Sequence, residues 1–467
     1  MHLLAIRVLA TLALVQDPPT HAPLDDAVTT FVTRLDSLAQ WCQKERLLGE
    51  RDQVYELILQ FAADHAAARK ALKFSRDRSG AWRQDPGYRA PRAAADAGAF
   101  RDQRAAAVAA FKSSLHALID GAAPPPAEAR AAAIKDLLAV DPEDAPAHAA
   151  LGEVRAPTGA WVLSETLTGK ARRAELHAWC GRCLQDAHPL ADSTPSDYEQ
   201  ALGVKWQAVC ETPAVRVLGT GSRDETMLVA RANHAAGDLF RWVFGCKTTA
   251  WDHYTLYVLA SAADKDAVLE RHPSLSPEYR QFLRNLNSGG FPGTAQWGHW
   301  GPDQARRLDS SVRGTIASLL GREFHIDANQ GWIFEGFGLY LTRELIGTRL
   351  TSFAPMTAAT GQEEKLRARL MKPGANWMNE ALVLLAGGGD DRLAPLIGKA
   401  AGAMSTEDVL TAYALAAFLL EGHPGDVASI ARRAGGTEPA AAVLASTLHC
   451  DLIGLQQRLR RWLGERC

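Results

Sequence analysis

The apolar and polar positions divide this chain into stretches of different period. Two short runs, "TPAVRVLG" (212–219) and "HYTLYVLA" (253–260), are β-branched or aromatic and alternate, which predicts strands. Between them, residues 222–244 repeat at helical spacing, with Leu228, Ala232, Ala235, Leu239 and Val243 on one side. The turn into that helix, "VLGTGSRDET" (217–226), offers Ser222 or Asp224 as the cap. A Gly/Pro-rich turn, "NSGGFPGT" (287–294), precedes helical periods over about 303–321 and 329–346. From 362 onward the pattern is helical and rich in Ala and Leu, broken at 386–392, 421–426 and 434–439. It closes on "LQQRLRRWLGER" (455–466), an amphipathic helix with Leu455, Leu459 and Leu463 inward. The pattern predicts an α+β fold, predominantly helical, with a small sheet backed by helices.

Upstream, residues 58–82 and 137–161 read as two copies of one unit, 79 positions apart. The offset aligns Ala68 with Ala147, Leu72 with Leu151, Arg76 with Arg155, Gly80 with Gly159 and Trp82 with Trp161. Small residues at helical spacing let antiparallel helices approach closely, and Gly before Trp reads as a helix stop followed by an anchoring aromatic. The unit resembles tetratricopeptide-type helical hairpins, without their full consensus. "GAAPPPAEAR" (121–130) is a hinge that opens the second copy. The organisation expected is a duplicated helical region over 24–165, a linker over 166–204, an α+β core over 205–350 and a C-terminal helical subdomain over 351–467. The helical region then acts as a spacer or as a peptide-binding groove.

Composition narrows the classes. Apolar residues make up 47% and charged residues 22%, which a buried core needs. A net charge of -2 with no basic stripe gives nucleic acid no electrostatic footprint. Seven cysteines in 467 residues are too sparse for a disulfide scaffold, and an odd count leaves at least one unpaired in a monomer. The first 16 residues resemble a short export signal, with an apolar run from Val8 to Val15 interrupted upstream by Arg7. A buried first helix is the alternative. Export would place the protein in the periplasm or cell envelope. No later stretch reaches the ~18–20 apolar residues of a membrane span.

The segment "GWIFEGFGLY" carries Trp332, Glu335, Gly336 and Tyr340. It resembles the third-ligand helix of the gluzincin metallopeptidases, in particular the peptidase-MA-like proteins of bacteria. The resemblance covers residues 205–467 and includes Tyr413 in "TAYALAAFLL" and the closing helix. In that family the preceding helix carries H-E-x-x-H, whose two His bind zinc while the Glu activates the metal-bound water. The corresponding positions here are Arg313, Gly314 and Ala317, in "RGTIA". One retained carboxylate cannot hold a catalytic zinc, which takes about three protein ligands, and no general base stands in for the lost Glu. A guanidinium at 313 would neutralise Glu335 directly by a bidentate pair. Gly314 inside a helix costs ~1 kcal/mol relative to Ala, consistent with relaxed demands at a former site.

Two further groups of ligands are weighed against this. His299 in "WGHW" and His325 between the paired helices would be the relocated zinc ligands of an active metallopeptidase built around Glu335. "LHAWCGRCLQDAH" spaces His177, Cys180, Cys183 and His188 as a structural zinc set would, on a helix over 171–187. The alternative is a buried helix in which the cysteines act as small apolar residues. No G-x-S-x-G, phosphate-binding loop or dinucleotide motif occurs.

These residues imply a catalytically inactive gluzincin-like protein, an exported binding or structural module for extended peptides. No cofactor is expected, with zinc as the alternative. The other readings are the relocated zinc site and a helical-repeat module that binds protein.

Overall fold

The computed structural model describes residues 22–121, 125–185, 190–246, 254–352, 361–372, 374–387, 389 and 391–466. The expected export signal and His188 lie outside them. The chain falls into two compact units, Met1–Glu153 and Val154–Cys467. Its class is α+β and predominantly helical.

In the first unit, helices Ala22–Lys44, Leu48–Phe61, Gly98–Ile119 and Ala127–Val140 enclose an aromatic core. Phe31 stacks on Phe111 with ring centroids 4.1 Å apart, and Phe61 meets them edge-on at 5.4 and 5.5 Å. The duplication is carried by whole elements. Leu48–Phe61 and Ala66–Ala71 in the first copy correspond to Ala127–Val140 and Ala145–Ala150 in the second. The short helix is capped at matching positions: Ala68 N donates to His65 at 3.3 Å, and Ala147 N donates to Asp144 at 2.9 Å.

Each copy then ends in a β-hairpin, not in the helix stop read from Gly and Trp. Phe74–Arg76 pairs with Trp82–Gln84, and Glu153–Arg155 pairs with Trp161–Leu163. Gly80 and Gly159, at φ 82° and 86°, supply the left-handed turn that only glycine adopts at little cost. Arg76 donates to the Gly80 carbonyl at 2.9 Å and lies over the Trp82 ring at 4.5 Å. Arg155 repeats both contacts, with the Gly159 carbonyl and with the Trp161 ring at 4.9 Å. The conserved Arg, Gly and Trp spacing between the copies is therefore hairpin chemistry.

The second unit holds a six-stranded mixed sheet. Its order is Ala191–Asp192, Ala208–Glu211, Val215–Gly219, Tyr254–Val258, Gln296–His299 and Ser288–Gly290. The central strand Tyr254–Val258 is parallel to both neighbours, and the outer pairs are antiparallel. Helix Arg223–Phe244 makes the crossover between the first parallel pair, capped by the Ser222 hydroxyl and ended by Gly245 at φ 62°. Leu228 is 42% exposed on it, unlike the inward position its spacing suggests. The other four positions, Ala232, Ala235, Leu239 and Val243, are buried, and the buried face widens to Val229, Ala236 and Phe240 because the sheet and the next long helix cover it from two sides.

The segment expected as a linker is built into this unit. Helix Ser164–Gln185 buries Leu176 and Cys180, one turn apart on one face. Its start is pinned to the last helix: Leu163 N and the Thr166 hydroxyl both donate to Glu465, at 3.1 and 2.6 Å. A single apolar core runs from Leu163 to Leu463 without a break at residue 350. Two long helices cross at its centre, Gln304–Phe324 and Gly331–Ile346, called below the Arg313 helix and the Glu335 helix. Cys42, Cys180, Cys210, Cys246 and Cys450 are free thiols.

Candidate functional site

The Arg313 helix buries an unusual run of polar side chains, Asp309, Ser310, Ser311, Arg313 and Thr315. Buried polar groups must be hydrogen-bonded, and each of these is, with the partners spread around the helix. Ser311 and Thr315 bracket Asn233 of the crossover helix at 2.9 and 2.7 Å. The Ser310 hydroxyl meets His299 Nδ1 at 2.8 Å. Asp309 accepts from the Thr348 hydroxyl, Leu350 N and Thr351 N at 2.7, 2.9 and 2.8 Å. It thereby holds the loop that follows the Glu335 helix.

Arg313 faces the Glu335 helix. Its Nη2 donates to Glu335 Oε2 at 3.1 Å and to the Phe334 carbonyl at 2.6 Å. Both side chains are completely buried. The contact described between the two side chains is one charge-assisted hydrogen bond, not the expected fork, and the same nitrogen also donates to the Phe334 carbonyl. Glu335 accepts a further bond from the Ser352 hydroxyl at 3.1 Å. Gly338 makes the approach possible: a Cβ there would sit 1.8 Å from Arg313 Nη1. Gly314 also has a packing role, since a Cβ there would press on the His299 ring at 3.3 Å. This replaces the reading of Gly314 as a sign of relaxed demands. Ala317 is buried in the core.

The other candidates divide among several places. His299 is fully buried, and burial pushes its pKa down to about 3, so the ring is neutral. His325 is exposed and ends the Arg313 helix at φ 58°. Trp332 is a core residue, edge-on to Phe337 at 6.4 Å. Tyr340 donates to Glu421 at 2.7 Å, where a π-helical turn over Phe418–Gly422 breaks the regular helix. Burial and the Glu421 charge hold the Tyr340 hydroxyl well above its ordinary pKa. Glu421 also binds Arg466 at 2.6 Å and lies 3.5 Å from Arg173.

The described members of the His/Cys set, His177, Cys180 and Cys183, are not placed together as a metal group. His177 turns to Glu344 of the Glu335 helix at 2.6 Å. Cys180 is buried, and desolvation followed by the Glu344 charge raises its thiol to about 12, opposite to what a metal thiolate needs. Among the described residues no group of three His, Cys, Asp or Glu side chains is placed to hold a metal ion.

His177, Glu344 and Tyr413 instead meet at a cavity of about 850 Å³ at the end of the Glu335 helix. Its wall carries Arg173, Arg343, Arg349, Lys372 and Arg466 against the single carboxylate Glu344. Arg349 donates to the Tyr413 hydroxyl at 3.2 Å and to the Ala375 carbonyl, and lies over the Trp377 ring at 4.6 Å. Burial lowers the Arg349 pKa, and the Arg343 charge adds to that. The sequence pattern missed Arg343, Arg349, Lys372 and Trp377. One signal was legible: between residues 331 and 346 only Glu335, Arg343 and Glu344 are charged, so a cation on so apolar a helix needs a reason.

No protein-family model, curated protein or solved structure matches this chain. Among the described residues no helix is long and apolar enough to cross a membrane.

Proposed function

We propose that the second unit is a gluzincin-like fold without a catalytic metal, and that the chain works as a non-catalytic binding module. The observation that carries this reading is the Arg313–Glu335 contact at 3.1 Å in complete burial. A guanidinium there supplies the positive charge a zinc ion would bring, so Glu335 is neutralised within the protein. The histidines weighed as relocated ligands support the same reading. His299 is committed to Ser310, and His325 lies twelve residues along the helix from Arg313, about 18 Å at 1.5 Å per residue. Export to the periplasm or cell envelope belongs to the same proposal.

The extended-peptide mode is the weaker part of it. The sheet edges are Ser288–Gly290 and Ala191–Asp192, three and two residues long. Strand addition draws its affinity from main-chain bonds, and so short an edge supplies few. Binding by a cavity fits this unit better.

Metal content tests the proposal. The full chain is incubated with excess zinc, dialysed and assayed beside Glu335→Ala and Cys180→Ala. The wild type is expected to retain less than stoichiometric zinc. One zinc per chain, lost in Glu335→Ala while circular dichroism shows that variant folded, would overturn the reading. Zinc lost only in Cys180→Ala would mark a structural site on helix Ser164–Gln185 and leave the core as proposed.

A further inference from the structure

Cations outnumber carboxylates on the wall of the cavity at the end of the Glu335 helix. Other buried or half-buried arginines of the unit pair with acids, Arg307 with Glu225 at 2.7 Å and Arg216 with Glu199 at 2.7 Å, as does Arg466 on the cavity wall, with Glu421 at 2.6 Å. Arg343, Arg349 and Lys372 have no carboxylate partner among the described residues, yet all three line one concave wall. The one carboxylate there, Glu344, is engaged by His177.

The local electrostatics account for part of this arrangement only. The C-terminus of the Glu335 helix favours a cation in its last turn, which explains Arg343. It does not explain Arg349 or Lys372, which lie beyond the helix. Arg349 is moreover held in place. Two of its five N–H donors are fixed on Tyr413 and Ala375, its face rests on Trp377, and the other donors have no hydrogen bond among the described residues. Holding like charges together beside low-dielectric aromatic walls is unfavourable unless an anion joins them, and such a cleft concentrates anions.

We propose that this cavity is a binding site for a phosphorylated small molecule carrying at least two negative charges. Arginine forks match the tetrahedral oxygens of a phosphate, and Lys372 adds a mobile point charge at the rim. The volume of about 850 Å³ falls within the roughly 300–1,000 Å³ of small-molecule sites and leaves room for more than the anion. Leu350, Met371 and Met378 supply the apolar wall for that remainder. The site is separate from the Arg313–Glu335 pair, neither member of which lines it, so its failure would leave the zinc-free reading standing.

The test is calorimetric titration of the full chain with inorganic pyrophosphate, with inorganic phosphate and succinate as comparison probes. Saturable binding of pyrophosphate is expected, tighter than phosphate and weakened by salt. Losing one charge-assisted bond should weaken it by about tenfold or more in Arg343→Gln and in Lys372→Gln. Neither side chain has a hydrogen bond among the described residues to lose, so both variants should unfold at the wild-type temperature. Lys205→Gln, on the exposed surface of the same unit, should bind like wild type. Absence of pyrophosphate binding would overturn the proposal, as would binding that both cavity variants leave within twofold. Succinate binding tighter than pyrophosphate would overturn the phosphate assignment.

Discussion

The two ends of the Glu335 helix solve the same electrostatic problem in opposite ways. Near its start a carboxylate and a guanidinium are buried together, with the Phe334 carbonyl and the Ser352 hydroxyl among their partners. At its far end, cations gather around one carboxylate and open space. A buried charge must find its partner within the fold, because desolvation would otherwise cost several kcal/mol (roughly, per ion). A cation on a cavity wall can leave that partner to water or to a ligand. Glu335 is neutralised within the fold, whereas Arg349 lines a cavity.

Breaking the sealed end should have the largest effect. Glu335→Ala strands Arg313 in the core and should cost about 3–5 kcal/mol of stability in urea unfolding. Arg313→Met combined with Glu335→Leu removes both charges and should recover most of it. A double variant as unstable as the single one would mean that the pair is not what the core depends on.

Acid should act on the same end to an intermediate extent. His299 is held neutral with its pKa down at about 3, so protons bind the unfolded chain more readily than the folded one. The sign follows: stability is full above about pH 6.5 and falls as pH drops from there toward 3, by about 2 kcal/mol between pH 7 and 5. Buried His272 and half-buried His423, also depressed, add to the decline. Urea unfolding at the two pH values should show a smaller difference in His299→Gln, and an unchanged one would remove His299 from the account.

The open end should respond least. Arg343→Gln should change stability by no more than about 0.5 kcal/mol, since no protein bond is lost and one repulsion is relieved. A large loss in thermal unfolding would show that Arg343 is structural and would erase the contrast between the two ends.

Much of the fold was legible because its signals are local. Strands Val215–Gly219 and Tyr254–Val258 and the two long central helices follow from period and caps, within a few residues. The approach of Arg313 to Glu335 was expected from the resemblance, which sets the first-ligand position of one helix against the retained Glu of the next. Its single bond was not, since that depends on the Phe334 carbonyl and on the space above Gly338. The hairpins of the repeated unit were hidden because three-residue strands such as Phe74–Arg76 are too short to show a period. The cavity was hidden for a different reason: Arg173, Arg343, Arg349 and Lys372 come from three separate segments and meet only through tertiary packing.

Asp309 has a consequence for how the open end moves. The loop carrying Arg349 is neither helix nor strand, yet the amides on either side of this carboxylate's grip, Leu350 and Thr351, are satisfied by one buried side chain. Their deuterium uptake should therefore follow the opening of the helical core and not that of surface loops. Asp309→Asn, which trades acceptor capacity for a donor, should speed exchange at those two amides first. In that sense the wall of the cavity borrows its rigidity from the interior, and a ligand would meet a surface already set.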